Sequence, residues 1–428
     1  MSMPLLDPAY LNYFPLALLV VAAGLAALGS FQAAQGADSD ATSGSYARKP
    51  DIPAWSNPAL EDHKGNRLTE RMTPEMFATG LKTFFGDVHI HTNYSRCGRP
   101  NNMDLPDKIA YARDKAGLDF AAFADHIEHM DDAQYAEYCR QIESANQNGR
   151  FVTLPTYEWA GRGHITCGHR NVMFRDAFGP AFRGTEEKTN TVQKLHAALA
   201  GARQPVMTPR HHTTYQNSWN NFNQAFEPVV EIYSSWGSSE CQGGPRQRAD
   251  TDDGKPMLPG NYVADGLTRG NMMGFISGSD GHNIMPGSCG LTAAVVPELT
   301  RSAVWDAIHA RRCYATTGSR ILLDFTVNGY PMGTVLRAPQ ARWAEVFPLK
   351  IACAAVGTAK LDTIELIENN RLIYTHTIRR GPANEMAFCV HKKDMTYFAR
   401  YYYVRLTQCD GEMAWSSPIW ILFEDEPR

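Results

Sequence analysis

Seven short apolar runs recur along the middle of the chain, and most of them end in a histidine or a carboxylate. They cover residues 84–90, 120–124, 151–157, 205–208, 229–233, 274–278 and 292–296. Helical patterns at 107–116, 133–146, 191–200 and 302–312 separate them, the last with Thr300 as its expected N-cap. Strands alternating with helices predict an α/β fold with a parallel sheet, closed or nearly closed into a barrel. In such barrels the loops at the strand ends carry the chemistry.

The residues at those ends share one character. The first run carries His89 and His91, which lie two apart and so share a face of the strand. The second ends in Asp125-His126, with Glu128 and His129 just beyond. The third ends in Glu158, and the Gly-rich loop after it carries His164 and His169-Arg170-Asn171. The fourth leads to His211-His212, the fifth contains Glu231, and the sixth runs into Asp280-Gly281-His282. Any one of these is ordinarily a satisfied buried His or a capping Asp; six coinciding strand ends are not. Imidazole with carboxylate suits Zn, Mn or Fe, and Glu158 stands where it can bridge two ions.

Composition narrows the rest. A chain of 428 residues can bury one large core and a smaller one. A net charge of -4 with 20% charged residues gives no electrostatic case for nucleic acid or an anionic membrane surface. Ten of the 14 His fall between His89 and His282. The nine Cys form no C-x-x-C pair, which argues against a zinc ribbon or a redox dithiol.

At the N-terminus, residues 14–28 form an Ala- and Leu-rich apolar run, followed by small residues at 33–37. This pattern resembles a secretory signal, although Asp7 and no Lys or Arg precede the run. The competing reading is an uncleaved anchor. Either way a periplasmic or secreted location is expected, with membrane association only if the segment is retained. Residues 38–82 read as a linker that wraps onto a domain spanning 83–318. After Gly318 the helices stop. Short strands at 321–328, 349–355, 363–368, 371–377, 401–408 and 418–423, with turns such as Asn328-Gly329, predict a small β-sandwich over 319–428.

His-x-His, Asp-His, a lone Glu, Gly-His-x-Asn, His-His-Thr and Ser-Asp-Gly-His occur in this order and resemble the PHP (polymerase and histidinol phosphatase) superfamily. Residues 85–92, Ile232-Tyr233-Ser234 and Ala414-Trp415-Ser416-Ser417 resemble one branch of it, known as domain of unknown function 3604. The resemblance implies a distorted seven-stranded β/α barrel holding two or three divalent transition-metal ions. It implies one ion at His89, His91, Glu158 and Asp280, a second at Glu158, His169 and His211, and a third at His126 and His282. His212 stands where many relatives have Pro, so the metal-binding member of that pair stays open. Cys97 stands where trinuclear members have a further His, and either ligates by its thiolate or packs as an ordinary Cys.

Two classes of function follow. The first is a metal-dependent hydrolase acting on a small, anionic substrate, with phosphoester hydrolysis the reaction the resemblance implies. Amide or ester hydrolysis at the same centre is the alternative. In this reading Asp280 orients the attacking water, and Asp125 or His212 supports it or moves a proton. Arg96, Arg170 and Arg210, close to the motifs, suit an anionic group. The second class is a non-catalytic metal- or glycan-binding protein, with Trp219, Trp236 or Trp415 as stacking surfaces.

Overall fold

The computed structural model describes residues 81–96, 102–161, 168–211, 218–247, 259–339, 346, 348–377, 384–392 and 399–424. The N-terminal signal-like run and nearly all of the linker lie outside them, as do Cys97, His164 and His212. No described helix is long and apolar enough to cross a membrane.

The first half is built on twelve strands. These are β1 (Lys82–Ile90), β2 (Phe120–Phe123), β3 (Val152–Leu154), β4 (Thr156–Ala160), β5 (His169–Phe174) and β6 (Val206–Met207), then β7 (Arg210–His211), β8 (Val229–Ser234), β9 (Gly237–Ser238), β10 (Gly274–Ser277), β11 (Leu291–Val296) and β12 (Cys313–Thr316). β1, β2 and β3 run parallel, as expected. Gly86 makes that pairing possible, because a Cβ there would stand 2.3 Å from Phe120. Among the described residues, five α-helices cover these strands: α1 (Leu105–Ala110), α2 (Asp132–Ala145), α3 (Val192–Leu199), α4 (Val263–Thr268) and α5 (Arg301–His309). Thr300 caps α5 through its side chain, as the sequence predicts. α2 begins with a full capping box between Asp131 and Gln134.

The expected closed parallel barrel is not what the ladders form. β11 pairs antiparallel with β1, and the run expected over 151–157 breaks at Pro155, which has no N–H to continue a ladder. Beyond that break β4 leaves β3 and forms an antiparallel hairpin with β5, where a Gly-rich loop was expected. A second sheet results, in the order β10-β8-β7-β5-β4. Single parallel bridges, Ile90 with Gly281 and His126 with Glu158, join its ends to those of β1 and β2. The residues at these junctions are the ones singled out at the strand ends.

The C-terminal strands match the predicted grammar but do not stand apart. A four-stranded sheet contains β13 (Leu322–Val327), β14 (Tyr330–Pro331), β16 (Leu349–Val356) and β19 (Glu385–Lys392). The others are β15 (Val335–Pro339), β17 (Leu361–Glu368), β18 (Arg371–Thr377), β20 (Arg400–Gln408), β21 (Met413–Ser416) and β22 (Ile419–Glu424). β21 pairs with β12, which pairs with β11, so one sheet runs from these strands through to β1. The hairpin turns carry positive φ where the sequence put Asn: 52° at Asn328, 46° at Asn369 and 62° at Asn370. A single apolar core joins Phe123 and Phe151 in the first half to Phe325, Ile351 and Val404 in the second.

Candidate metal centre

Glu158 is the point of convergence. It sits in β4, buried, and its two oxygens face different histidines. Oε1 lies 2.5 Å from His169 Nδ1 and 2.8 Å from His211 Nε2. Oε2 lies 3.0 Å from His126 Nδ1, 3.4 Å from His91 Nε2 and 3.9 Å from His89 Nε2. Strand register explains the first set. Ala160, two residues from Glu158 and on its face, is opposite His169, which is opposite His211. The second set comes from the ends of β1 and β2.

Asp280 closes the site from the other side. Its Oδ1 lies 3.4 Å from His89 Nε2 and 3.2 Å from His91 Nε2. The residue is held at φ 45°, a left-handed conformation that costs a non-glycine residue about 1–3 kcal/mol. Three contacts impose it: its N–H donates to the His89 carbonyl, and its own carbonyl accepts from Ser235 Oγ and Trp236 Nε1. His282 follows two residues later, with its ring 4.3 Å from that of His91. Among the described residues, four triads offer ligand atoms within 4.8 Å of one another: His91-His126-His282, His89-His211-Asp280, His89-His91-Glu158 and His126-Glu158-His169.

Charge in this cluster is arranged for a cation. Burial raises the cost of ionising Glu158, yet His126, His169 and His211 hold its carboxyl well below the usual range. Burial likewise disfavours protonated His89, but Asp280 and Glu231 push its pKa well above the usual value. The same acidic field favours a metal ion in place of that proton. Burial, then the neighbouring His91, lowers His282 to about 4, so its lone pair stays available at neutral pH. His126 is also lowered, chiefly by burial.

The donors fit a transition metal. His89 Nδ1 contacts Glu231 Oε2 at 2.9 Å, which leaves Nε2 facing the centre. That Nε2 is buried and makes no hydrogen bond. The sequence places Glu231 among the strand-borne carboxylates of the constellation; the structure makes it the partner of His89 Nδ1. Two residues escape sequence reasoning. Asp87, buried within β1, accepts from the N–H groups of His89, Ser279 and Gly287, stitching the first motif to the last. Lys108, buried in α1, donates to the carbonyls of His91, His282 and Ile284. Nothing in a short helix marks such a lysine as interior.

Other expected site residues fall elsewhere. Arg170 and Arg210 are fully buried against Glu227, so they are not clamps for a substrate. They alternate with His169 and His211 and therefore point to the opposite face. Asp125 does not reach the centre either: it accepts from Thr92 N, Thr92 Oγ and Ser95 Oγ, a supporting position rather than a catalytic one. Glu128 turns away to accept from Ala160 and Gly184. Arg96 is exposed, with its guanidinium donating to Gln134 Oε1, and lines a cleft of about 450 Å³ with Asn93, Tyr94 and Glu137, none of them residues of the centre. Its main-chain N–H donates to His129 Nδ1.

The model of the family "Protein of unknown function (DUF3604)" matches residues 108–206 and 261–367. Those segments include His126, Glu158, His169, Asp280 and His282 but not His89, His91 or His211. An uncharacterized protein of Chlamydia pneumoniae is 30% identical over 390 residues, which span 83% of this chain and 61% of that protein. One from Chlamydia trachomatis is 28% identical over 393 residues, with the same coverage. The chain thus spans about three fifths of the length of these curated relatives. A solved two-domain protein from Bacteroides vulgatus, described as containing a predicted PHP-like metal-dependent phosphoesterase, aligns with 77% of this chain and 92% of its own. The two are 13% identical, with a TM-score of 0.39.

Proposed function

We propose that the chain is a metal-dependent hydrolase with at least two divalent transition-metal ions, acting on a small phosphoester. The observation that carries this reading is the split of Glu158 between two histidine sets, Oε1 toward His169 and His211 and Oε2 toward His126, His91 and His89. A carboxylate so placed suits a bridging role. His89, His91 and Asp280 would complete one site, His169 and His211 the other. Ions held there would supply charge that polarises a phosphoryl oxygen and acidifies a water. Asp280, fixed by its strained backbone, would orient that water. Arg96, exposed and joined to the cluster only through its main-chain contact with His129, would meet the anionic end of the substrate. The choice of phosphoester over amide or carboxylic ester rests on the motif series and its resemblance. Export through the N-terminal segment belongs to the same proposal.

Elemental analysis after remetallation should find two or more ions per chain, and the loaded protein should turn over an aryl phosphomonoester or phosphodiester. Asp280→Asn should lower kcat by about 10²–10⁴. One ion or fewer per chain, or near-native turnover by Asp280→Asn, would sink the reading.

A further inference from the structure

Ser95, buried between β1 and β2, has a hydroxyl whose every hydrogen-bonding valence is used. Its Oγ lies 2.6 Å from Asp125 Oδ1, 2.9 Å from His91 Nδ1 and 3.0 Å from the main-chain nitrogen of His126. A hydroxyl has one proton and two lone pairs. Asp125 already accepts from the N–H and hydroxyl of Thr92, each at 2.7 Å. As a carboxylate it can only accept, so the Ser95 proton goes to Asp125. The two lone pairs must then take the His126 N–H and an N–H on His91 Nδ1. His91 is therefore fixed with its proton on Nδ1. Its Nε2 faces the centre at hydrogen-bond distance, 3.2 Å, from Asp280 Oδ1 and 3.4 Å from Glu158 Oε2.

We infer that Ser95 is a positioning residue. It selects the tautomer of His91 and ties that ring to the backbone of His126, so that two ligands from separate strands are set by one hydroxyl. Asp125 acts through it by holding the hydroxyl proton. Ser95 acts through His91 and His126 and is not itself one of the clustered ligand residues. An acid buried behind a ligand histidine is the usual way to orient the ring. Here a serine is interposed, and one acid thereby serves two histidines.

The inference rests on the metal-centre reading only where it concerns affinity; the tautomer does not need a metal. The test uses the full chain, metal-free, with ¹⁵N-labelled histidine. The Nδ1 of His91 should carry its proton whether or not Nε2 also carries one. In Ser95→Ala the Nε2–H form should appear, and Zn²⁺ affinity should fall about 10- to 100-fold. Ser95→Thr, which keeps the hydroxyl, should recover most of the loss. A ring protonated on Nε2 alone in the unaltered protein would overturn the inference, whether or not any variant folds. Wild-type Zn²⁺ affinity retained in Ser95→Ala would overturn it too. If the unaltered protein binds no Zn²⁺ while His91 still shows Nδ1–H, the metal reading fails and the positioning role stands.

Discussion

Two buried acids a few residues apart in space show how one pair of strands supports opposite chemistries. Glu158 is surrounded by imidazoles, while Glu227 is held between the guanidinium groups of Arg170 and Arg210. The partners are sequence neighbours, His169 beside Arg170 and His211 beside Arg210, and strand alternation sends them to opposite faces. Both acids are essentially inaccessible, and the electrostatics of both favour the charged form. Arginine is permanently charged and completes its ion pair within the fold. Imidazole can give up its proton and present a lone pair, so the Glu158 cluster can exchange protons for metal. Burial alone does not separate a structural ion pair from a functional one; the proton inventory of the partners does.

The contrast breaks most visibly through Glu158→Gln. This variant removes the carboxylate common to both histidine sets, so metal content should fall by at least about one ion per chain and turnover by about 10²–10⁴. Retained stoichiometry in elemental analysis would mean that Glu158 bridges nothing. Glu227→Gln should act on stability instead. Two buried guanidiniums lose their counter-charge, which costs about 3–5 kcal/mol in denaturant unfolding. The folded fraction should keep its full metal content, and a parallel loss of metal would show that the two faces are not independent.

A smaller effect sharpens the comparison at His196, which stacks on Phe226 at 4.6 Å and contacts Thr208 Oγ with Nε2. Burial lowers its pKa to about 4, helped by Arg170 and Arg210 and opposed by Glu227. The folded value lies below the ordinary one near 6.5, so the unfolded chain takes up this proton first. Its contribution to stability is full above about 6.5 and is lost as the pH falls toward 4. An NMR titration should give a ring midpoint near 4, and a lower one in Glu227→Gln, where the opposing carboxylate is gone. A midpoint near 6.5 would place His196 in contact with water.

Much of the site was legible because its residues announce themselves. His89-x-His91, the isolated Glu158 and Ser279-Asp280-Gly281-His282 are expensive to bury and fall at the ends of apolar runs. Their convergence could be expected before any strand was paired. The sheet was less legible. His169–Phe174 alternates histidine and asparagine with arginine and valine, all but His169 buried, so hydropathy carries no period-two signal and the segment looked like loop. The single residue Pro155 redirected the third strand and turned a parallel element into a hairpin. The arginines misled because proximity in sequence to a histidine motif carries no information about which face a side chain takes. Ser95, Asp87 and Lys108 could not be found by composition, since their roles depend on main-chain groups contributed by distant segments.

The sheet that runs from β1 to the C-terminal strands also dictates an order of assembly. Ser417 accepts a hydrogen bond from the N–H of Phe275, in the strand that leads to Asp280, and donates to the carbonyl of Cys313. Tyr314 pairs with Ser416 next to it. A segment synthesised long after Asp280 thus braces the strand that leads to it. Nascent chains would carry an exposed set of histidines and acids with an unfinished scaffold until residue 417 had emerged. Completion of the histidine and acid cluster is thereby coupled to the strands after residue 400 rather than to folding of the first half alone.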